Sequence, residues 1–395
     1  MRRTIAILFF AMSVSCSKTE YVPERVEMEV VELNVVDYAC DNTGRSDCSA
    51  ALSRALSDAA EYDGAVLYMP AGDYLLTRSV VAGIAAPCHL KIKGAGAGHT
   101  RILVRNTAGG ISLDFSDENS SLEIEDLSFY ADVPLAGTAL YCRRSFSGRY
   151  THRSFLSRNT EFRIPQSDIA TDKCFSTGVM LRGAYNPRFE NVVVAGPYGP
   201  NVSSGPDSPL YKANYGIVIK ESYAPEFVDT YVWSQKEAFL LEENRDAGTL
   251  PVQFIRCNAV ETLRGVSIYG NNSSPVVLDQ CHINCKEVGI GLYGCGDVTI
   301  CGSLLYNGDD PQANAWESYS DILTMDCTRI RIHDNIFHFN GNQNRTGVDI
   351  RTSNGVSVTG NKFTFTGRSI KTDGGSSGIL SENNYFDTTA LPPLL

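Results

Sequence analysis

"TGVDIRTSNGVSVTGNKFTFTG", residues Thr346 to Gly367, holds two short runs of alternating apolar residues, split by Ser353-Asn354-Gly355 and followed by Asn361-x-Phe363. Taken alone, two such runs around a Ser-Asn-Gly turn read as a hairpin. Placing Asn335-x-Phe337 over Asn361-x-Phe363 changes that reading. It superposes "DILTMDCTRIRIHDNIF" on "GVDIRTSNGVSVTGNKF" without a gap, at a spacing of 361 minus 335, or 26. The stretch is one copy of a repeat, and the aligned strands run in the same direction.

Further copies start at Gly178, Gly216, Ala238, Gly265 and Gly289, and a last one at Ser369 leads to Asn384-x-Phe386. Each has two inward apolar positions in its first strand, such as Val179/Leu181, Phe239/Leu241, Ile290/Leu292, Val348/Ile350 and, at the end, Ile370/Thr372. Most have a second strand, such as Val276/Leu278 or Val356/Val358, with the alternate residues facing out. Two or three short strands per copy, at start spacings mostly of 22 to 27 residues, predict an all-β, right-handed single-stranded parallel β-helix with regular coils over 178–387. The series Asn335, Asn361, Asn384 then predicts an internal amide ladder at one corner. Cys257 with Cys281, and Cys295 with Cys327, fall at equivalent positions in adjacent coils, where buried free thiols filling small interior sites are expected rather than disulfides. A solenoid needs a capped end. "SDCSAALSRALSDAAEY", residues 46–62, supplies an N-terminal capping α-helix, with Asp47 as N-cap and Ala51, Leu52, Ala55, Leu56 and Ala59 on one face.

The 395 residues carry a net charge of -11, and no Lys/Arg cluster interrupts the acidic balance, which excludes nucleic acid as a partner. "MRRTIAILFFAMSVSCSKTE" combines Arg2 and Arg3 with an apolar stretch too short to span a bilayer. It reads as an export signal over 1–15. Ser13-Val14-Ser15-Cys16 resembles a bacterial lipoprotein processing site, which implies lipidation at Cys16, a tether over 16–29 and a single domain over 30–395. Plain secretion is the alternative, because Ser13 stands where an aliphatic residue is usual. On this reading the membrane is met only through the N-terminal lipid. Of twelve cysteines, eleven remain after Cys16, an odd number, and no Cys-x-x-Cys or histidine spacing suggests a metal. No cofactor is predicted.

The order of strand, Asp-rich turn, helix and strand in "NVVDYACDNTGRSDCSAALSRALSDAAEYDGAVLYMPAGDYLL" resembles the N-terminal signature of the pectate-lyase-like superfamily, over about Val30 to Leu103. That superfamily includes glycoside hydrolase family 28-like proteins and phage tailspike depolymerases, so the resemblance implies the β-helix and a polysaccharide partner. Asp41-Asn42-Thr43-Gly44 replaces the usual Gly-Asp-Gly of the turn. Family 28 polygalacturonase motifs are missing apart from an echo in Gly308-Asp309-Asp310, so that activity is not expected. The fold itself hosts hydrolases, lyases, epimerases and noncatalytic proteins.

The rung alignment also states which side chains share an outer face. Arg182, Lys220, Glu242, Tyr269, Tyr293, Met325, Arg351 and Asp373 form one outward column, and Glu221 and Glu243 belong to the next. With rungs ~4.8 Å apart, Lys220 should stack on Glu242 and Glu221 on Glu243. Adjacent carboxylates favour one shared proton, and an acid beside an ionised base is what glycoside cleavage needs. Glu242, Glu243, Glu221 and Lys220 are therefore the catalytic candidates. Tyr269, Tyr293 and Trp316 could stack on sugar rings, and Arg182, with Arg351 at the far end, could pair with uronate or sulfate groups. The competing readings are β-elimination with Lys220 as base, glycan binding without turnover, and solvated surface charges.

Overall fold

The structure, a computed structural model, describes residues 30–144, 152–164, 173–197, 212–242, 250–270, 274–307, 319–339, 345–364 and 368–387. The chain coils through three sheets, and every pairing between the described strands is parallel. The first sheet runs from Val80–Ile84 through Thr177–Arg182, Tyr215–Lys220 and Glu237–Glu242 to Arg368–Thr372. The second runs from Val30–Asn34 to Leu380–Glu382, and the third from Thr43–Asp47 to Tyr385–Asp387. This is the predicted β-helix, and its coils wind right-handed, the sense that a twisted parallel crossover takes. Coiling begins at Val30, well before Gly178.

Inside the coils, alternation sets the core. Val179, Leu181, Phe239, Leu241, Ile290, Leu292, Val348, Ile350, Val356, Val358 and Phe363 are all buried. Phenylalanines stack from rung to rung, Phe189 on Phe227 at 5.1 Å and Phe227 on Phe254 at 4.5 Å. Thr372, expected to face inward, is exposed, because it lies on the last described rung of the first sheet and no further coil covers it.

Each corner is made by one residue in the left-handed region, at Asp229, Arg256, Gln280, Gly302, Asp334, Gly360 and Asn383 between the second and third sheets. The residue after it points in and bonds to the next coil. The Asn335 backbone N–H and side-chain amide both donate to Asn361 Oδ1 at 3.0 Å, and Asn361 repeats the pattern on Asn384 at 3.0 and 3.1 Å. Towards the N-terminus the ladder continues with smaller groups: Ser303 N–H donates to Asn335 Oδ1, and Cys281 N–H to Ser303 Oγ. The eleven described cysteines form no disulfide, and ten of them are buried. Cys295 and Cys327 occupy the corresponding ladder at the corner between the first and second sheets, followed by Ser353 and Ser376.

The cap is the helix Ser49–Ala59, which buries Ala51, Leu52, Ala55, Leu56 and Ala59 as its sequence period predicts. Its N-cap is Cys48, not Asp47. Asp47 stands one residue earlier, where its Oδ1 accepts from the Ser49 N–H at 3.1 Å and hydroxyl at 2.5 Å and from the Thr77 N–H at 3.1 Å. A single carboxylate thus ties the start of the helix to the following coil. No helix among the described residues is long and apolar enough to cross a membrane. The leader and Cys16 lie outside the described residues.

Candidate active site

The outward column read from the sequence exists in the structure. Arg182, Lys220 and Glu242 are in register on adjacent strands, as are Tyr269, Tyr293, Met325 and Arg351. Two residues missed in the sequence extend the column towards the N-terminus: Asp114 pairs with Arg143, and Arg143 with Arg182. The long segment between the strands Thr138–Arg144 and Thr177–Arg182 had hidden that continuation. Glu243 and Trp316, together with Asp309 and Asp310, lie outside the described residues.

Lys220 Nζ sits 2.6 Å from Glu242 Oε2, the expected stacking. Glu221 meets a different partner. It occupies the corner with φ of 49°, which turns its side chain away from the sheet face, and its carboxylate accepts from the Arg182 guanidinium of the preceding coil. At the far end Arg351 bonds to Asp349 at 2.6 Å. Asp349, which alternates with the inward Val348 and Ile350, is only 2 % exposed because Arg351 and Lys371 close over it.

Tyr269 and Tyr293 stack on each other, with centroids 4.4 Å apart and planes 7° from parallel. Their facing surfaces are therefore occupied by one another. A Cβ at Gly291 would lie 2.9 Å from the Tyr293 hydroxyl oxygen, so this ring folds back along its own strand over the glycine. Burial, the neighbouring Tyr293 and Glu237 push the Tyr269 hydroxyl up to about 12, and burial raises Tyr293 as well, so both are proton donors near neutrality.

Within electrostatic reach of both hydroxyls lies Glu237, a residue the sequence reading missed. It is the first residue of its strand, in register with Tyr215 and Arg264. The rung alignment began one position later, at Ala238. Glu237 is 7 % exposed, its carboxyl lies beside the Ser267 hydroxyl, and burial raises its pKa against the opposing pull of Arg264. Glu237 Oε1 and Ser267 Oγ are both buried with no hydrogen-bond partner among the described residues. Arg264 itself is held by Glu287 at 3.0 Å. One strand thus delivers two carboxyls into different settings, Glu242 half-exposed against an ammonium and Glu237 buried beside Ser267. Among the described residues no cluster of three His, Cys, Asp or Glu side chains could hold a metal ion.

Comparison with known proteins agrees with this architecture. A family model described as "Rhamnogalacturonase A/epimerase, pectate lyase-like" matches residues 33–291, and one described as "Right handed beta helix region" matches 215–386. Among solved structures the chain is similar to DFA-IIIase from Arthrobacter chlorophenolicus A6 in complex with GF2, at 13% identity and a TM-score of 0.61, over 92% of this chain and 99% of that one. It is also similar to the A-module of Azotobacter vinelandii mannuronan C-5 epimerase AlgE4, at 16% identity and a TM-score of 0.52, over 91% and 100%. A third is the Streptococcus pneumoniae surface protein and adhesin PfbA, at 13% identity and 0.51, over 90% and 97%. At these identities the likeness is one of fold. No curated protein matches the chain.

Proposed function

We infer the function from one premise: the chain belongs to the rhamnogalacturonase A/epimerase, pectate lyase-like family. On that premise it is a polysaccharide-active enzyme, exported and lipid-anchored at Cys16, that cleaves a glycan lying across the outer face of the first sheet by glycoside hydrolysis. Similar structures, among them a mannuronan C-5 epimerase module and a DFA-IIIase, support a carbohydrate ligand.

The observation that carries hydrolysis is the pair Glu237 and Glu242. Glycoside cleavage uses two carboxyls, one as acid and one as base. Glu237, its proton retained by burial, donates to the glycosidic oxygen, and Glu242 takes a proton from the attacking water. The Glu237 carboxyl lies beside Ser267, which is in register with Leu240, two residues short of Glu242. At ~3.3 Å per residue that offset alone is roughly 7 Å along the strand, more than the ~5 Å of a retaining pair. Lys220, paired with Glu242 at 2.6 Å, is poorly disposed to act as the base of a β-elimination.

One observation favours a second reading, glycan binding without turnover: Glu237 is almost fully covered, and an acid that never meets the substrate catalyses nothing. Incubation with a panel of neutral and acidic polysaccharides separates the two. New reducing ends, without ultraviolet-absorbing unsaturated products, and their loss in both Glu237→Gln and Glu242→Gln, are expected. Unsaturated products would make the protein a lyase, and binding without either product would make it a glycan-holding protein.

A further inference from the structure

The distribution of charge along the first sheet carries the reading one step further, to the class of glycan; this step rests on the proposal that the face takes a glycan at all. The geometry points to an uncharged glycan as the ligand of this face.

A polyuronate or sulfated chain is held by cations whose charge is available to it, and its affinity is then strongly salt-dependent. Along the column the cations are already engaged, and Lys236, at the corner before Glu237, bonds to the neutral Asn214 Oδ1 at 3.2 Å. Arg143 faces Asp114 at 3.8 Å, Arg182 binds Glu221, Lys220 binds Glu242 at 2.6 Å and Arg264 binds Glu287 at 3.0 Å. Asp349 takes both Arg351 at 2.6 Å and Lys371 at 3.6 Å. Arg368, exposed and without an ion pair among the described residues, stands on the last rung, beyond the stripe. An incoming carboxylate would gain one cation and meet that cation's own carboxylate within a few ångströms, so attraction and repulsion nearly cancel. Glu237 adds a further acid, and the chain as a whole, at -11, repels polyanions at long range.

The same pairs suit neutral sugars. A hydroxyl both donates and accepts, and vicinal hydroxyls present those roles side by side. A half-exposed ion pair offers the complement, N–H donors beside carboxylate acceptors. Arg182 and Glu221 keep 48% and 23% of their side-chain surface open, and Lys220 and Glu242 keep 36% and 32%. The tyrosine pair contributes hydroxyl edges on the same line.

The test uses the full chain in affinity electrophoresis and calorimetry against polygalacturonate, alginate and heparin, each also offered carboxyl-reduced or desulfated, and against neutral xylan, mannan and fructan. Binding is expected only among neutral or neutralised members, with an affinity that changes less than about twofold between 50 and 500 mM NaCl. A double variant, Asp114→Asn with Glu221→Gln, removes one carboxylate charge beside Arg143 and one beside Arg182 and should gain affinity for polygalacturonate, on the order of fivefold at low salt. Preference of the unmodified protein for the acidic members, with affinity falling tenfold or more over that salt range, overturns the inference and leaves the proposed function standing. Failure to bind any member removes the proposed function, and this inference with it.

Discussion

Replacing Asn361 by alanine tests whether the corner ladder holds the coils in register. Asn361 is 1% exposed and makes five contacts through one amide. Its Oδ1 accepts the backbone N–H and the side-chain amide of Asn335, both at 3.0 Å; its Nδ2 donates to Ile332 O at 2.9 Å, Thr359 O at 3.1 Å and Asn384 Oδ1 at 3.1 Å. Alanine orphans the Asn335 N–H outright and removes a donor from the buried Ile332 carbonyl. At ~1–3 kcal/mol for each buried group left unsatisfied, the loss should be about 3 to 5 kcal/mol. Asn384→Ala removes the same kind of amide at a half-exposed rung, where water can replace it, and should cost about 1 kcal/mol or less. Chemical unfolding followed by circular dichroism reads both midpoints. Asn361→Asp adds a sign test: it keeps the acceptor but sets a buried carboxylate against the Ile332 and Thr359 carbonyls, so its folded pKa must rise above the unfolded value. Its stability deficit should therefore shrink as pH falls through that raised folded pKa and level off below about 4, where the carboxyl is protonated in both states. Equal costs at positions 361 and 384, or a cost under about 1 kcal/mol at 361, would refute the ladder as a structural element.

Glu237→Gln should abolish turnover and alter the pH dependence of stability. Because the folded pKa of Glu237 is raised, its contribution is full below the unfolded pKa and is lost as pH rises through the folded one. Melting temperatures from pH 4 to 8 should thus move in favour of the glutamine variant as pH rises, and a constant difference would contradict the assignment. Gly291→Ala places a Cβ 2.8 Å from Tyr293 Cε2, the mobile end of a side chain, so activity should fall at least tenfold while the unfolding midpoint stays close to the parent value. Phe227→Ala removes a fully buried ring stacked between Phe189 and Phe254 and should cost about 3 to 5 kcal/mol in denaturant titration, far more than any substitution of a surface ion pair such as Arg256 with Asp229.

What the sequence made legible follows from coil geometry. Every rung gives the same position the same surroundings, so the inward pairs, the asparagine series and the Lys220–Glu242 contact are all consequences of register, and register shows as a period. The parts that stayed hidden lie where the period breaks. At the corner leading into the first sheet, Tyr215 pairs with Glu237 and the next partners are Ile217 and Phe239, so the residue between them is out of the ladder and alternation no longer says which way Glu237 points. At the other end of the strand Glu221 sits in the left-handed region, and its carboxylate meets Arg182 of the preceding coil, a contact that alternation along the column does not describe.

The tyrosines show a different kind of gap, because their column was right and only the direction of the rings was not. An aromatic side chain on a strand has room to fold back along the chain only where the outward residue two positions earlier is small. Ser267 precedes Tyr269 by two and Gly291 precedes Tyr293 by two, whereas the equivalent residues on neighbouring coils are Leu240 and Leu323. The small residues occur on the two coils that carry the stacked pair and are replaced by leucine on either side. That pattern was readable in the sequence, and its functional consequence is that both tyrosine hydroxyls stand within electrostatic reach of Glu237, the proposed acid.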